Sequence, residues 1–198
     1  QDGGGQPDWD AQLDAIYGGY MSNLDQMSGN LNTSYGENVD TLNQQSTIEE
    51  QKYGKQKEEL LGDTQTSQDR YNDTLRSAYQ DAVRSYNALA QQAKSRFGGG
   101  SSAGGAVGEL AQQEFFKQQG QLQNKQAQGS LDFEKERGRI NTYITDQVNQ
   151  LGLYKKQAMD QLKQSLRDQL SAIDAKKTEV QSNKARDKMS LLQQAVSA

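Results

Sequence analysis

The sequence predicts an all-α protein whose long helices form a coiled-coil-like hairpin or bundle, broken by a Gly/Ser-rich segment. Apolar residues recur at steps of three and four, which is the period of a helix face. Good helix formers such as Gln, Ala, Leu, Lys and Glu are abundant, and the only Pro is at position 7. Only 32% of the residues are hydrophobic. This is too few for a large central core but enough for a narrow stripe along a helix.

The N-terminal half is predicted to be a flexible lead-in, residues 1–7, followed by helix over 8–97. The lead-in contains three consecutive Gly, which are costly to order, and Pro7 suits the first turn of a helix. The apolar stripe then alternates steps of four and three, with one extra step of four at Tyr35 and Val39 that relaxes a left-handed supercoil. Because interior Gly residues weaken helices, we expect the helix to weaken or break near 29–36 and 54–70.

A Gly/Ser-rich segment, residues 98–108, is predicted to be the hinge or turn between the two halves. Six of its eleven residues are Gly, which favours the end of any helix; they are Gly98, Gly99, Gly100, Gly104, Gly105 and Gly108. The spacing of Gly99 and Gly104 matches a phosphate-binding loop, but Gly105 and Ala106 stand where such a loop needs Lys and Ser or Thr. We therefore interpret the segment as a turn and expect the second helical half, 109–198, to begin near Glu109.

The apolar stripe identifies candidate residues for a helix seam that also serves oligomerisation. Met159, Leu166, Ile173 and Val180 are seven residues apart, as in a heptad repeat. The Tyr residues of the stripe suit half-buried positions, because the hydroxyl can still reach water. The predicted seam consists of Leu13, Tyr17, Tyr20, Leu24, Met27, Leu31, Leu75, Tyr79, Leu89, Ile144, Leu151, Met159, Leu162, Leu166, Ile173 and Val180.

Charge is distributed unevenly between the two ends of the chain. Residues 1–50 carry nine acidic residues and no Lys or Arg, whereas residues 151–198 carry nine basic and five acidic residues. An antiparallel fold-back at 98–108 would place the acidic segment beside the basic one and would select that pairing. The alternative is a parallel bundle of several copies, in which the Gly-rich segment is a kink or hinge.

The composition argues against an enzyme and predicts no cofactor and no metal site. The chain has no His and no Cys, which excludes Ser-His-Asp and Cys-His mechanisms and the usual zinc ligand sets. Its acidic residues are scattered over helix faces rather than gathered in an apolar setting. No apolar run approaches the length of a membrane span. Acidic residues interrupt the basic stretch at 176–188, which argues against specific nucleic-acid binding but leaves transient contact with DNA open.

In composition the chain resembles small helical virion proteins of tailed bacteriophages, namely tail-lumen, ejection and internal core proteins. The shared features are Gln/Ala-rich helices, the lack of Cys and His, and the Gly/Ser-rich break at 93–105. The chain is also similar in style to the DNA pilot proteins of small icosahedral phages, which form helical tubes. The resemblance is one of composition, and it assigns no functional residue.

The resemblance implies a non-enzymatic structural component of a phage particle, in the tail, connector or internal core. Such a protein would be located in the virion, would bind copies of itself and other virion proteins, and would aid genome delivery. One alternative is a phage scaffolding protein whose basic C-terminal helix binds coat subunits. Another is a secreted or cell-surface bacterial coiled-coil adaptor.

Overall fold

The protein is a helical hairpin, which confirms the predicted all-α class. A computed structural model describes residues 8–98 and 100–197, except for the side chains of 195–197. Helix α1 spans Trp9–Phe97 and helix α2 spans Ser102–Ser197, and the two pack against each other with no strand among the described residues. The predicted lead-in at 1–7 and the hinge residue Gly99 lie outside the described residues.

Helix α1 is continuous over 89 residues, so the breaks expected near 29–36 and 54–70 are wrong. It is capped by Asp8, whose carboxylate accepts a hydrogen bond from the backbone N–H of Ala11 at 3.0 Å. A break inside a helix would leave up to four C=O groups without partners before the break and up to four N–H groups without partners after it. That cost exceeds the penalty of about 1 kcal/mol that each interior Gly carries. The Gly residues therefore weaken the helix without ending it.

The turn between the helices is much shorter than predicted. Gly98 adopts a left-handed backbone conformation with φ of 75°, and its N–H still bonds to the carbonyl oxygen of Lys94. Ser101 then caps α2, because its hydroxyl accepts a hydrogen bond from the N–H of Gly104 at 3.1 Å. Helix α2 consequently begins at Ser102 and not near Glu109, and the predicted hinge residues Gly104, Gly105 and Gly108 lie inside the helix.

The hairpin divides into two compact units, each made of one segment from each helix. The terminal unit comprises Gln1–Glu49 and Gln150–Ala198, and the turn unit comprises Glu50–Asn149. Within each unit the two segments run antiparallel and meet along a seam. Each unit therefore has an intrachain seam of its own.

The seam of the turn unit repeats every 11 residues. Eleven residues make three helical turns at 3.67 residues per turn. This value is close to the 3.6 residues per turn of a straight α-helix, so the two helices need no left-handed supercoil. Sixteen residues, none of them exposed, form the inner columns. On α1 these are Tyr53, Thr64, Leu75 and Tyr86, then Leu60, Tyr71, Ala82 and Ala93; on α2 they are Ala111, Leu122, Phe133 and Ile144, then Val107, Gln118, Gly129 and Ile140. The single stutter expected at Tyr35 and Val39 lies in the terminal unit, whereas in the turn unit such an extra step of four recurs in every repeat.

Candidate functional site

The predicted seam is partly displaced from the residues that the helices bury against each other. Leu24, Ile144 and Ile173 are buried. Nine more predicted residues are half-buried: Leu13, Tyr17, Leu31, Leu75, Leu151, Met159, Leu162, Leu166 and Val180.

The remaining four predicted seam residues, Tyr20, Met27, Tyr79 and Leu89, are largely exposed. Tyr79 nevertheless packs against Phe115 of α2, whereas the assignment of the other three to the seam between the helices is wrong. In α1 the half-buried positions are Met21 and Ser28, one residue beyond Tyr20 and Met27. One residue is about 100° of helix rotation, which is enough to move a side chain from the seam to its flank.

One flank of the terminal unit is lined by ion pairs between the helices, and we call it the ion-pair flank. Its three pairs are Asp25 with Lys177 at 2.7 Å, Asp14 with Lys184 at 2.7 Å and Asp10 with Lys188 at 3.2 Å. The acidic start of the chain therefore lies beside its basic end. Pairs as exposed as these contribute little to stability, so the packing of the seam holds the helices together and charge favours this register.

Hydrogen bonding across the terminal unit shifts three pKa values. The hydrogen bond from Lys184, and then its charge, lower the pKa of Asp14. The hydrogen bond to Asp25 raises the pKa of Lys177 despite partial desolvation. The Tyr17 hydroxyl donates to the Asp187 carboxylate, which raises the pKa of Tyr17. All three shifts favour the protonation states that hold the helices together near neutral pH.

The opposite flank of the terminal unit is open and weakly charged, and we call it the open groove. Four shallow depressions follow one another along it. Four large apolar side chains, Trp9, Ile16, Tyr20 and Met27, are exposed by 52%, 55%, 57% and 47% on its α1 rim. The α2 rim is mostly polar or small, with Gln161, Ser165, Gln169, Ala172, Lys176, Glu179, Asn183 and Ser190.

A close interhelical contact in the turn unit joins Tyr71 to Gly129. A Cβ atom placed on Gly129 would lie 2.3 Å from the Cε1 atom of Tyr71, so the ring occupies the space that a side chain would need. The Tyr71 hydroxyl donates a hydrogen bond to the carbonyl oxygen of Lys125 at 2.7 Å, and its ring packs edge-on to Phe133 with centroids 6.0 Å apart. The contact with Phe133 and the hydrogen bond to Lys125 therefore both hold the Tyr71 side chain in place.

Amide and aromatic contacts complete the seam of the turn unit. The guanidinium of Arg137 donates hydrogen bonds to the side-chain oxygens of Gln65 and Gln68, the latter at 2.7 Å. The ring of Phe115 lies between Tyr79 and Tyr86, with centroid separations of 6.1 and 5.4 Å. Seam positions that are apolar in most coiled coils are thus partly polar here, and the polar groups of Thr64, Tyr71 and Arg137 have hydrogen-bond partners.

Heptad reasoning missed Gly129, Arg137 and the buried Ala82 and Ala111. The signal that identifies Gly129, Ala82 and Ala111 is the 11-residue spacing, because each continues a column that also contains large apolar residues, whereas Arg137 lies outside these columns. Gly and Ala are inconspicuous in a search for apolar stripes, although small residues are what allow a bulky residue such as Tyr71 to fit opposite.

Two further classes of site are not found in the part of the chain that the structure describes. It holds no cluster of three acidic side chains placed to bind a metal ion. None of its helices is long and apolar enough to cross a membrane.

The chain matches no protein-family model, and no curated protein and no solved structure shows significant similarity to it.

Proposed function

We propose that the protein is a non-enzymatic structural component of a bacteriophage particle, in the tail, connector or internal core, and that it assembles through its long helices. The proposal combines the resemblance in composition with the surface that the hairpin exposes. Within that proposal, its partners are copies of itself and other virion proteins, and its contribution to the particle includes genome delivery.

The observation that carries the assembly part of the proposal is the large accessible surface, 14803 Å². A compact monomer of 22.0 kDa would expose about 9,300 Å². Among the described residues no large side chain is fully buried. A chain with so much exposed surface and so small a core gains stability chiefly by covering part of that surface with other chains.

The ion-pair flank favours a structural component over the scaffolding alternative. A scaffolding protein that binds coat subunits through a basic C-terminal helix needs lysines that are available to the coat. Three of the C-terminal lysines, Lys177, Lys184 and Lys188, instead pair with aspartates of the same chain. The positive charge left for an external partner is correspondingly smaller.

Mass spectrometry of purified phage particles tests the proposal. We expect the protein in mature, DNA-filled particles at a copy number that is constant from preparation to preparation. Detection in precursor shells but not in mature particles would support the scaffolding alternative. A gene located among secretion genes, rather than among capsid and portal genes, would contradict the proposal and favour the cell-surface adaptor.

A further inference from the structure

The two flanks of the terminal unit differ in charge as well as in apolar surface. The ion-pair flank carries three acidic and three basic side chains that bond across the seam. The side chains that line the open groove on α1, from Trp9 to Gln45, include no charged residue. Those that line it on α2 include three, namely Lys176, Glu179 and Asp187. Interface cores are depleted of charge in the same way, whereas solvated helix faces normally are not.

The apolar side chains of the groove do not fit a solvent-exposed role. Ile16, Tyr20 and Met27 lie to one side of the line through Tyr17 and Leu24, and Asp14 and Asp25 lie to the other side. The first three therefore cannot reach the intrachain seam without a rotation that would expose Leu24. When the seam between two helices is already filled, a row of large apolar residues beside it is typical of a helix that contacts a second partner.

We infer that the open groove packs against the open groove of a second copy of this chain, so that the two terminal units form a four-helix bundle. A face with no charge on α1 and only three charged residues on α2 can meet its own copy with little like-charge repulsion, which the ion-pair flank could not do as easily. Lys176 and Glu179 are charges of opposite sign on the same face, so a two-fold axis that passes between them would place Lys176 of each copy opposite Glu179 of the other. Four helices around one core is also a stable solution for amphipathic helices.

The size of the groove suits a stable dimer. From Trp9 to Gln45 it follows α1 for roughly 55 Å at 1.5 Å per residue, and two adjacent helices present a face about 15–20 Å wide. The area available to each copy is then about 800–1,100 Å², which is the size of a standard specific interface. The four exposed apolar side chains of α1 lie in its N-terminal half, between Trp9 and Met27, and supply the aromatic and Met groups that are enriched in interfaces.

Sedimentation equilibrium of the full chain, with matched alanine variants, tests the inference. The groove variant is Tyr20→Ala with Met27→Ala, and the control is Ser22→Ala with Gln26→Ala on the exposed outer side of the same helix. Ala is the best helix former, so both variants keep the hairpin, which circular dichroism will verify. We expect the groove variant to raise the dissociation constant of the dimer about 10- to 100-fold and the control to leave it unchanged.

The inference rests on the assembly part of the proposed function, and the outcomes separate the two. Equal association of the wild type, the groove variant and the control would overturn the groove as the interface while leaving assembly through the helices intact. A wild-type chain that stays monomeric up to about 100 µM would overturn both self-association and the groove dimer. In that case a helix of a different protein would be the occupant to test, and presence of the chain in mature particles would still be decided separately by mass spectrometry.

Discussion

Replacement of Gly129 by Ala tests whether the close contact with Tyr71 determines the packing of the turn unit. At an unconstrained helical position this change stabilises a protein by about 1 kcal/mol, because Ala has the higher helix propensity. At Gly129 the new Cβ atom would lie 2.3 Å from the Tyr71 ring, which must then move. The expected sign of the effect is therefore reversed.

The magnitude follows from what Tyr71 loses when its ring is displaced. Overpacking of a tight contact costs about 1–3 kcal/mol. The hydrogen bond to the carbonyl oxygen of Lys125 is worth about 1 kcal/mol, and the edge-on contact with Phe133 is worth about 0.5–1.5 kcal/mol. These losses do not simply add, because a ring that moves away gives up its contacts but relieves the overlap. After the gain in helix propensity, we expect a net destabilisation of about 1–3 kcal/mol.

Urea unfolding, followed by circular dichroism at one fixed protein concentration, measures the effect. The matched control is Gly138→Ala, nine residues further along the same helix, where a Cβ atom would meet nothing within 4 Å. It should stabilise the protein by about 0.5–1 kcal/mol. In a Tyr71→Ala background the Gly129→Ala change should also become stabilising, since the ring that it collides with is gone. If Gly129→Ala and Gly138→Ala stabilise the wild type equally, the reasoning about this contact is wrong.

Three further changes probe the cap, the polar seam and the ion pairs. Ser101→Ala should destabilise the protein by about 1 kcal/mol because α2 loses its N-cap, whereas Ser102→Ala should be nearly neutral; urea unfolding of both tests this. Arg137→Met should cost about 1 kcal/mol in the same assay, because it keeps an unbranched side chain but removes the Nη2 group that donates to both Gln65 and Gln68, and an unchanged midpoint would show that these two hydrogen bonds are dispensable. Asp14→Asn should lower the melting temperature at neutral pH. A carboxyl with a lowered pKa stabilises the fold above its unfolded pKa of about 3.9, and this contribution is lost as the pH falls through the folded value. The difference from wild type should therefore vanish in strong acid, whereas Asp40→Asn, at an exposed position of the same helix, should have little effect at either pH.

The sequence by itself was sufficient to predict the fold class and to favour the fold-back over an extended arrangement. Helix-forming composition and steps of three and four are local properties, and each residue contributes to them wherever its neighbours lie. The acidic start and the basic end carry their charge irrespective of packing, so the order of residues alone predicts their preference for each other. Buried Leu24, Ile144 and Ile173 were identified for the same reason, because they are large apolar residues in the middle of a stripe.

Only the tertiary structure decided the register, the length of the turn and the face that remains open. A 3-4 spacing is compatible with two contact lines that differ by about 100°, and the partner helix selects Met21 and Ser28 over Tyr20 and Met27. The hydroxyl of Ser101 starts α2 at Ser102, although the Gly content of 98–108 predicts a longer break. Gly129 is a weak helix residue by propensity, and its value lies in the space that it leaves for Tyr71. Each of these features depends on what lies opposite a residue, which a single sequence does not specify.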